Sequence, residues 1–276
     1  MPDPVTDILM ITYNRPRYTG LSLQRLLETC DETMRVWVWH NGDDTETLKV
    51  VESLRDHPRF FEFHHCPENK KLREPTNWFW EHSTGDLVGK VDDDCLMPAG
   101  WVQTLRKAHM DVPEFGVLGC WPFLEEDYVP ELAEPKTRMF PEGHRLLMNC
   151  WVGGSGYLMK RQCLEQIGPI VDGQSFTGYC VQLAVRGWIN GWYLPLLCQD
   201  HMDDPRSEHT NLRTDEDFQR LRPLTAKTFK IETLEGWVDF IREDVRSLLQ
   251  ASADPKYYVG WRVTLRKLRQ RLRKRA

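Results

Sequence analysis

The first 120 residues alternate strand-sized apolar runs with amphipathic stretches, which restricts the chain to successive strand and helix units around a mainly parallel sheet. Strands are expected at Asp7 to Thr12, Arg35 to Trp39, Phe60 to His65, Leu87 to Val91 and Gly116 to Gly119. Helices fall between them. The first, about Tyr18 to Thr29, puts Leu21, Leu23, Leu26 and Leu27 mostly on one side, and the fourth, Pro98 to Met110, starts on a proline suited to a first turn. In such sheets ligands gather outside the carboxyl ends of the strands. Three of these ends carry polar clusters: Thr12-Tyr13-Asn14-Arg15, His40-Asn41-Gly42-Asp43 and Asp92-Asp93-Asp94.

The last cluster carries the chemistry. Three adjacent carboxylates at the end of an apolar run gain nothing from packing, so they are expected to face a ligand rather than form a solvated turn. Oxygen ligands of this kind suit Mg2+ or Mn2+, which complete their shells with water and phosphate oxygens.

A chain of 276 residues with 41% hydrophobic content holds one large domain, or one domain with an appendage. The eight cysteines are scattered without a CxxC pair, which argues against a zinc site or a disulfide scaffold and for reduced cytoplasmic thiols. Cys95, beside the acids, is expected to be a small buried filler, because hard ions avoid thiolates. The 11 Trp suggest aromatic pocket walls. The start lacks a basic region followed by a long apolar segment, and nowhere do eighteen apolar residues run together, so a cytoplasmic protein is expected.

Charge is unevenly spread. Residues 261–276 hold eight Lys or Arg and no acid, which leaves −13 on residues 1–260 out of a total of −5. Trp261, Leu265, Leu268 and Leu272 share one face of an expected helix over Tyr258 to Arg275, with cations on the others. Such a helix suits an anionic membrane surface, and equally suits docking on the acidic body. Nucleic acid is not an expected partner, because the body would repel a duplex backbone.

Beyond the fifth strand, residues 121–145 are rich in Pro, Glu and Asp and are expected to form a long irregular excursion of the kind that often serves as a binding lid. Leu146 to Val152, the turn Gly153-Gly154-Ser155-Gly156 and Tyr157 to Lys160 follow, with helices at Arg161 to Ile167 and roughly Gly178 to Trp188. The polar cluster Gln199-Asp200-His201-Met202-Asp203-Asp204 comes next, and helices are expected at Thr214 to Leu221 and Leu234 to Leu249.

Ile8 to Arg15 at the first strand, the glycine-containing polar turn after the second, Asn69-Lys70 and Arg73 before the third helix, Val91 to Asp94 followed by Pro98 and Trp101, and Gly153 to Gly156 before a Lys-Arg helix start form an ordered set. From about Ile8 to His201 this set resembles family 2 glycosyltransferases of the GT-A fold. The resemblance implies a Rossmann-like α/β domain over 1–205, with a nucleotide-sugar half over about 1–120 and an acceptor half over about 121–205. A helical C-terminal extension over 206–276 follows.

The resemblance also implies residue roles. Thr12 and Tyr13 would meet the donor nucleotide, Tyr13 against the base, with Asn41 and Arg73 near base or ribose. Asp92 and Asp93 would hold ribose and sugar hydroxyls. Asp94 would ligate Mn2+ or Mg2+, with His201 a further metal or diphosphate contact, and Gly153, Gly154 and Ser155 would form the acceptor loop. The implied activity is transfer of a sugar from a nucleoside-diphosphate-sugar to the hydroxyl of a carbohydrate or lipid-linked acceptor, in surface polysaccharide or glycolipid synthesis at the inner membrane face.

Two departures qualify this. His40-Asn41 stands where the family usually has an acid followed by Asp or Asn, which weakens a UDP assignment and leaves GDP and dTDP open. Tyr179-Cys180 stands where inverting members carry Glu-Asp, and neither residue is a comparable general base. Asp172 is the nearby substitute. A retaining reaction assisted by the donor phosphate, or a binding protein that has lost transfer, are the alternatives. A nucleotidyltransferase would need a glycine-rich phosphate loop after the first strand, and Thr12 to Tyr18 has no glycine.

Overall fold

A computed structural model describes residues 4–260. In chain order the first half runs β1 (Thr6–Thr12), α1 (Pro16–Glu28), β2 (Met34–Asn41), α2 (Thr45–Ser53), β3 (Phe60–Cys66), α3 (Arg73–His82), β4 (Leu87–Asp92), β5 (Cys95–Leu96), α4 (Trp101–Asp111) and β6 (Phe115–Gly119). The second half runs α5 (Pro130–Ala133), β7 (Thr137–Met139), β8 (Arg145–Asn149), β9 (Tyr157–Lys160), α6 (Arg161–Ile167), α7 (Phe176–Val185), β10 (Ile189–Leu194), β11 (Asp200–His201), α8 (Asp215–Leu221), α9 (Leu224–Thr228) and α10 (Leu234–Gln250).

One sheet of nine strands has the order β3-β2-β1-β4-β9-β6-β10-β8-β7. All but β8 and β9 run the same way. Every residue of β1 is buried, as a central parallel strand covered on both faces requires. Its side chains alternate between two cores: Ile8 and Met10 pack with Leu23 and Leu26 of α1 and Val102 and Leu105 of α4. Leu9 and Ile11 face the other core, with Phe79 of α3, Leu183 of α7 and Val245 of α10. The tryptophans expected to line pockets are mostly core: Trp37, Trp39, Trp80, Trp101, Trp121, Trp192 and Trp237 are all buried.

The expected strands all form, each within a residue or two of its place. The fourth helix starts later than expected, at Trp101 and not Pro98, because Gly100 caps it in the left-handed region at φ 73°. The excursion over 121–145 is less irregular than expected, since it holds α5 and β7, the latter on the sheet edge. Arg206 ties it down, reaching Asp127 at 2.6 Å and Asp204 at 2.7 Å. The expected helix over Tyr258 to Arg275 lies almost wholly outside the described residues.

The C-terminal extension packs on the domain. Leu212, Phe218, Trp237 and Ile241 form a third core joined by Phe123, and Trp237 donates from Nε1 to the Asp203 carbonyl at 2.8 Å. Among the described residues no helix is long and apolar enough to cross a membrane.

Candidate active site at the strand ends

Parallel strands β1, β2 and β4 end together, so Tyr13, Asn41 and Asp92 to Asp94 come to one crevice from three parts of the chain. A short ribbon completes it. In β11, His201 pairs with Cys95 of β5 while Met202 donates its backbone N–H to the Asp94 carbonyl at 2.8 Å. That pairing brings the expected partners together: one ligand atom from each of Asp94, His201 and Cys95 lies within 4.8 Å of the others.

The three acids have different tasks. Asp93 is buried and accepts from the Tyr13 backbone N–H and the Thr19 hydroxyl, both at 3.1 Å, so it holds the β1–α1 turn instead of reaching outward. Burial and the neighbouring Asp94 raise its pKa to about 7. Asp92 is half-buried, paired with Lys90, and its backbone N–H is held by the Ser155 hydroxyl at 2.9 Å. Asp94 receives Arg15 at 2.7 Å. Burial opposes its ionised form, but His201 and Arg15 outweigh that and lower its pKa.

Arg15 and Asp203 were legible only as members of polar clusters. Arg15 lies 3.0 Å from Asp203 as well, so one guanidinium bridges two carboxylates from distant segments. Burial disfavours its charged form, and Asp203, Asp94 and Asp93 outweigh this and raise its pKa. The same acids act on His201: burial disfavours the imidazolium, and Asp94 and Asp203 reverse this and raise the pKa. Three carboxylates (92, 94 and 203) thus face two cations, Arg15 and Lys90. Such a surplus of negative charge fits a divalent cation. Asp94 and His201 supply an oxygen and an imidazole nitrogen, a pair that suits Mn2+ better than Mg2+. Burial pushes the Cys95 thiol well up, so it stays protonated and packs as the expected filler.

At the ends of β1 and β2, Tyr13 is 42% exposed and its ring lies on Gly42: a Cβ there would sit 3.1 Å from the ring. Gly42 also has φ 92°, which favours glycine. Tyr13 therefore offers a free aromatic face. Thr12 and Asn41 do not offer free groups in the expected way. Thr12 is buried with its hydroxyl on His40 Nδ1 at 2.8 Å. The Asn41 carbonyl accepts from Trp39 Nε1 and the Lys70 N–H, and its amide donates to the Lys71 carbonyl. Both are supports, because a buried amide at a strand end must satisfy its own polar atoms first. Burial and His65 push His40 down to about 4, so its ring is neutral.

In the loop before β9, the Gly154 carbonyl accepts from Lys90 Nζ at 2.8 Å, which fastens the loop to the acids. Gly153 and Gly154 have open space where a Cβ would be. The conformationally demanding residue is Gly156, at φ 66°, where a Cβ would stand 2.5 Å from Gln199 Oε1. Tyr179 and Cys180 are both buried, the former donating to the Gly168 carbonyl at 2.9 Å. Burial pushes the Cys180 thiol up to about 12, so neither can deprotonate an acceptor. Asp172 has a 93% exposed side chain and lies 3.1 Å from Arg73. Its loop is docked on α3 by Asn77, which donates to the Ile170 carbonyl at 2.9 Å and accepts from the Ile170 N–H at 3.0 Å.

The family described as Glycosyl transferase family 2 matches residues 7–153. A glucosyl-dolichyl phosphate glucuronosyltransferase from Haloferax volcanii is 24% identical over 156 residues, 56% of this chain and 48% of that protein. The match thus spans about half of that relative's length. Among solved structures, the mannosyltransferase PcManGT from Pyrobaculum calidifontis, in complex with GDP-Man and Mn2+, is similar with a TM-score of 0.61 at 17% identity, covering 99% of this chain and 81% of that one. TarS 1–349 from S. aureus is similar with a TM-score of 0.54 at 15% identity, covering 95% of this chain and 91% of that one. In complex with UDP-GlcNAc, TarS 1–349 gives a TM-score of 0.53 at 15% identity, covering 88% of this chain and 70% of that one. At these identities the structural likeness speaks for the fold alone.

Proposed function

The chain belongs to glycosyl transferase family 2, and from that premise we propose that it moves a sugar from a nucleoside-diphosphate-sugar to an acceptor hydroxyl with Mn2+ or Mg2+ bound at Asp94 and His201. The observation that carries the reading is the convergence of Asp92, Asp94 and Asp203 on Arg15 and Lys90 at the carboxyl ends of the strands. A divalent cation bound there supplies Lewis-acid charge to the departing diphosphate.

The chain's own groups do the rest. Tyr13 stacks on the base over Gly42. Arg73, at the start of α3, lies on the nucleotide side. Asp92 accepts from donor hydroxyls, with Lys90 and Ser155 fixing its position. Arg15 turns from Asp94 to the diphosphate while staying paired with Asp203, adding positive charge where negative charge develops. The loop of Gly153, Gly154 and Ser155 lines the acceptor side, and Asp172 takes the acceptor proton. PcManGT and TarS are described with GDP-Man and UDP-GlcNAc respectively, which supports a nucleoside-diphosphate-sugar donor here. The neutral His40 argues against reading uracil by a carboxylate. A carbohydrate or lipid-linked acceptor is proposed for the same site.

The test is thermal shift with Mn2+ against UDP, GDP, dTDP, CDP and CMP, repeated on Asp94→Asn. Ligand at a hundred times its Kd adds roughly 2.7 kcal/mol, a rise of several degrees. A Mn2+-dependent rise with one diphosphate, lost in the variant, is expected, followed by sugar transfer from the matching donor. No rise with any nucleotide would remove the proposal.

A further inference from the structure

The C-terminal extension carries a surface that the sugar-transfer site does not use. Leu221, Leu224 and Phe229 are 41%, 76% and 62% exposed, three large apolar side chains within nine residues at the end of α8 and along α9. Single exposed leucines are ordinary on any protein, whereas a cluster of this kind marks an interaction surface. Between Phe218 and Ile231 the chain holds Arg220, Arg222, Lys227 and Lys230 and no acid. Arg220 is paired with Asp217 at 2.8 Å and Arg222 lies over the Phe218 ring, which leaves Lys227 and Lys230 as the cations beside the apolar side chains.

The patch is firmly mounted. Phe229 packs on Phe240 with ring centroids 4.9 Å apart, Phe240 stacks on Trp237 at 5.4 Å, and Trp237 holds the Asp203 backbone. The buried core of the extension therefore opens to the surface at Phe229. Thr225 and Thr228 are exposed between the apolar residues, while Ala226 points inward. Lys227 and Lys230 make no ion pair among the described residues.

We infer that residues 220–230 form a membrane-contact surface, with Leu221, Leu224 and Phe229 entering the headgroup region of an anionic bilayer and Lys227 and Lys230 meeting its phosphates. Apolar side chains with cations beside them match an anionic lipid surface in both terms of its attraction, burial and charge. The following stretch, 261–276, adds eight cations of the same sign and no acid. A protein partner of the same character would need an acidic rim around an apolar pocket; a bilayer needs only surface. The inference stands apart from the transfer reaction, so its failure leaves that reading untouched.

The experiment uses the full chain with vesicles of phosphatidylcholine alone or with one quarter phosphatidylglycerol, at low and high salt. Bound fraction is measured by flotation, and amide hydrogen exchange is followed residue by residue. Binding to the anionic vesicles, weakened at high salt, with slowed exchange over 221–230, is expected. Leu224→Ser/Phe229→Ser and Lys227→Glu/Lys230→Glu should each lower the bound fraction at least fivefold. Because Phe229 touches Phe240, wild-type exchange decides the matter if the first variant folds poorly. Absence of binding to anionic vesicles overturns the inference. So does binding with unchanged exchange over 221–230, which assigns contact to another segment, or a self-association lost in the serine variant without any vesicle binding.

Discussion

One guanidinium nitrogen of Arg15, Nη1, lies 2.7 Å from Asp94 and 3.0 Å from Asp203, so the guanidinium occupies the negative field into which a cation would bind. Side chain and cation compete for Asp94. Arg15→Gln should therefore bind free Mn2+ roughly tenfold more tightly without nucleotide, since removing a unit charge at this range is worth at least that much. Its Tm in chelator should fall below wild type and recover with Mn2+. Titration calorimetry with Mn2+ alone checks this, and an affinity equal to wild type would count against the competition.

Asp172 and Cys180 separate by substitution. Cys180→Ala removes a buried thiol that cannot reach a substrate, and should cost about 1 kcal/mol of stability with turnover within twofold of wild type. Asp172→Asn should leave stability unchanged, because an exposed ion pair contributes little, and should lower kcat at least tenfold with donor KM unaltered. Steady-state kinetics decide: equal turnover removes Asp172 as the base.

The extension should matter to the site it backs. Trp237→Phe keeps the ring stack but removes the donor to the Asp203 carbonyl, leaving a buried acceptor short of a partner. A loss of about 1–3 kcal/mol is expected from chemical denaturation. Mn2+ affinity should change with it, since Asp203 anchors Arg15.

Acid should unfold the protein partly through His109. Buried beside Lys160, with Nε2 on the Leu158 carbonyl at 3.1 Å, its pKa is pushed down to about 3. The unfolded chain takes up this proton near pH 6.5 and the folded one does not, so stability present above 6.5 is lost as the pH falls. Between pH 6.5 and 4 the loss from this group is about 3 kcal/mol. His40 acts in the same direction and Asp93 in the opposite one. His109→Gln keeps a donor at Nε2 without the titration, and its Tm should fall less steeply with acid than that of wild type. Parallel curves would exclude His109 as a source.

Much of this molecule was legible in the chain itself. A strand such as Ile8 to Ile11, apolar at every position, can only lie between two covered faces, and the acids at the end of Leu87 to Val91 mark the crevice, although one of them, Asp93, is buried and holds the β1–α1 turn. Period and composition are local properties, so the α/β class, the crevice and its acids follow from sequence. What lay beyond reach depended on pairings between distant segments. His201 meets Asp94 where β11 pairs with β5, and Asp203, whose carbonyl accepts from Trp237, meets Arg15 across the fold. Asn41 and Thr12 turned inward for a similar reason: whether a polar group at a strand end serves a ligand or its neighbours depends on what is packed beside it. Spacing cannot tell a free carboxylate from one already bound to an arginine at the other end of the domain's sequence, as Asp203 is to Arg15. Burial, hydrogen bonding and charge are sums over neighbours in space, and only the tertiary structure chooses those neighbours.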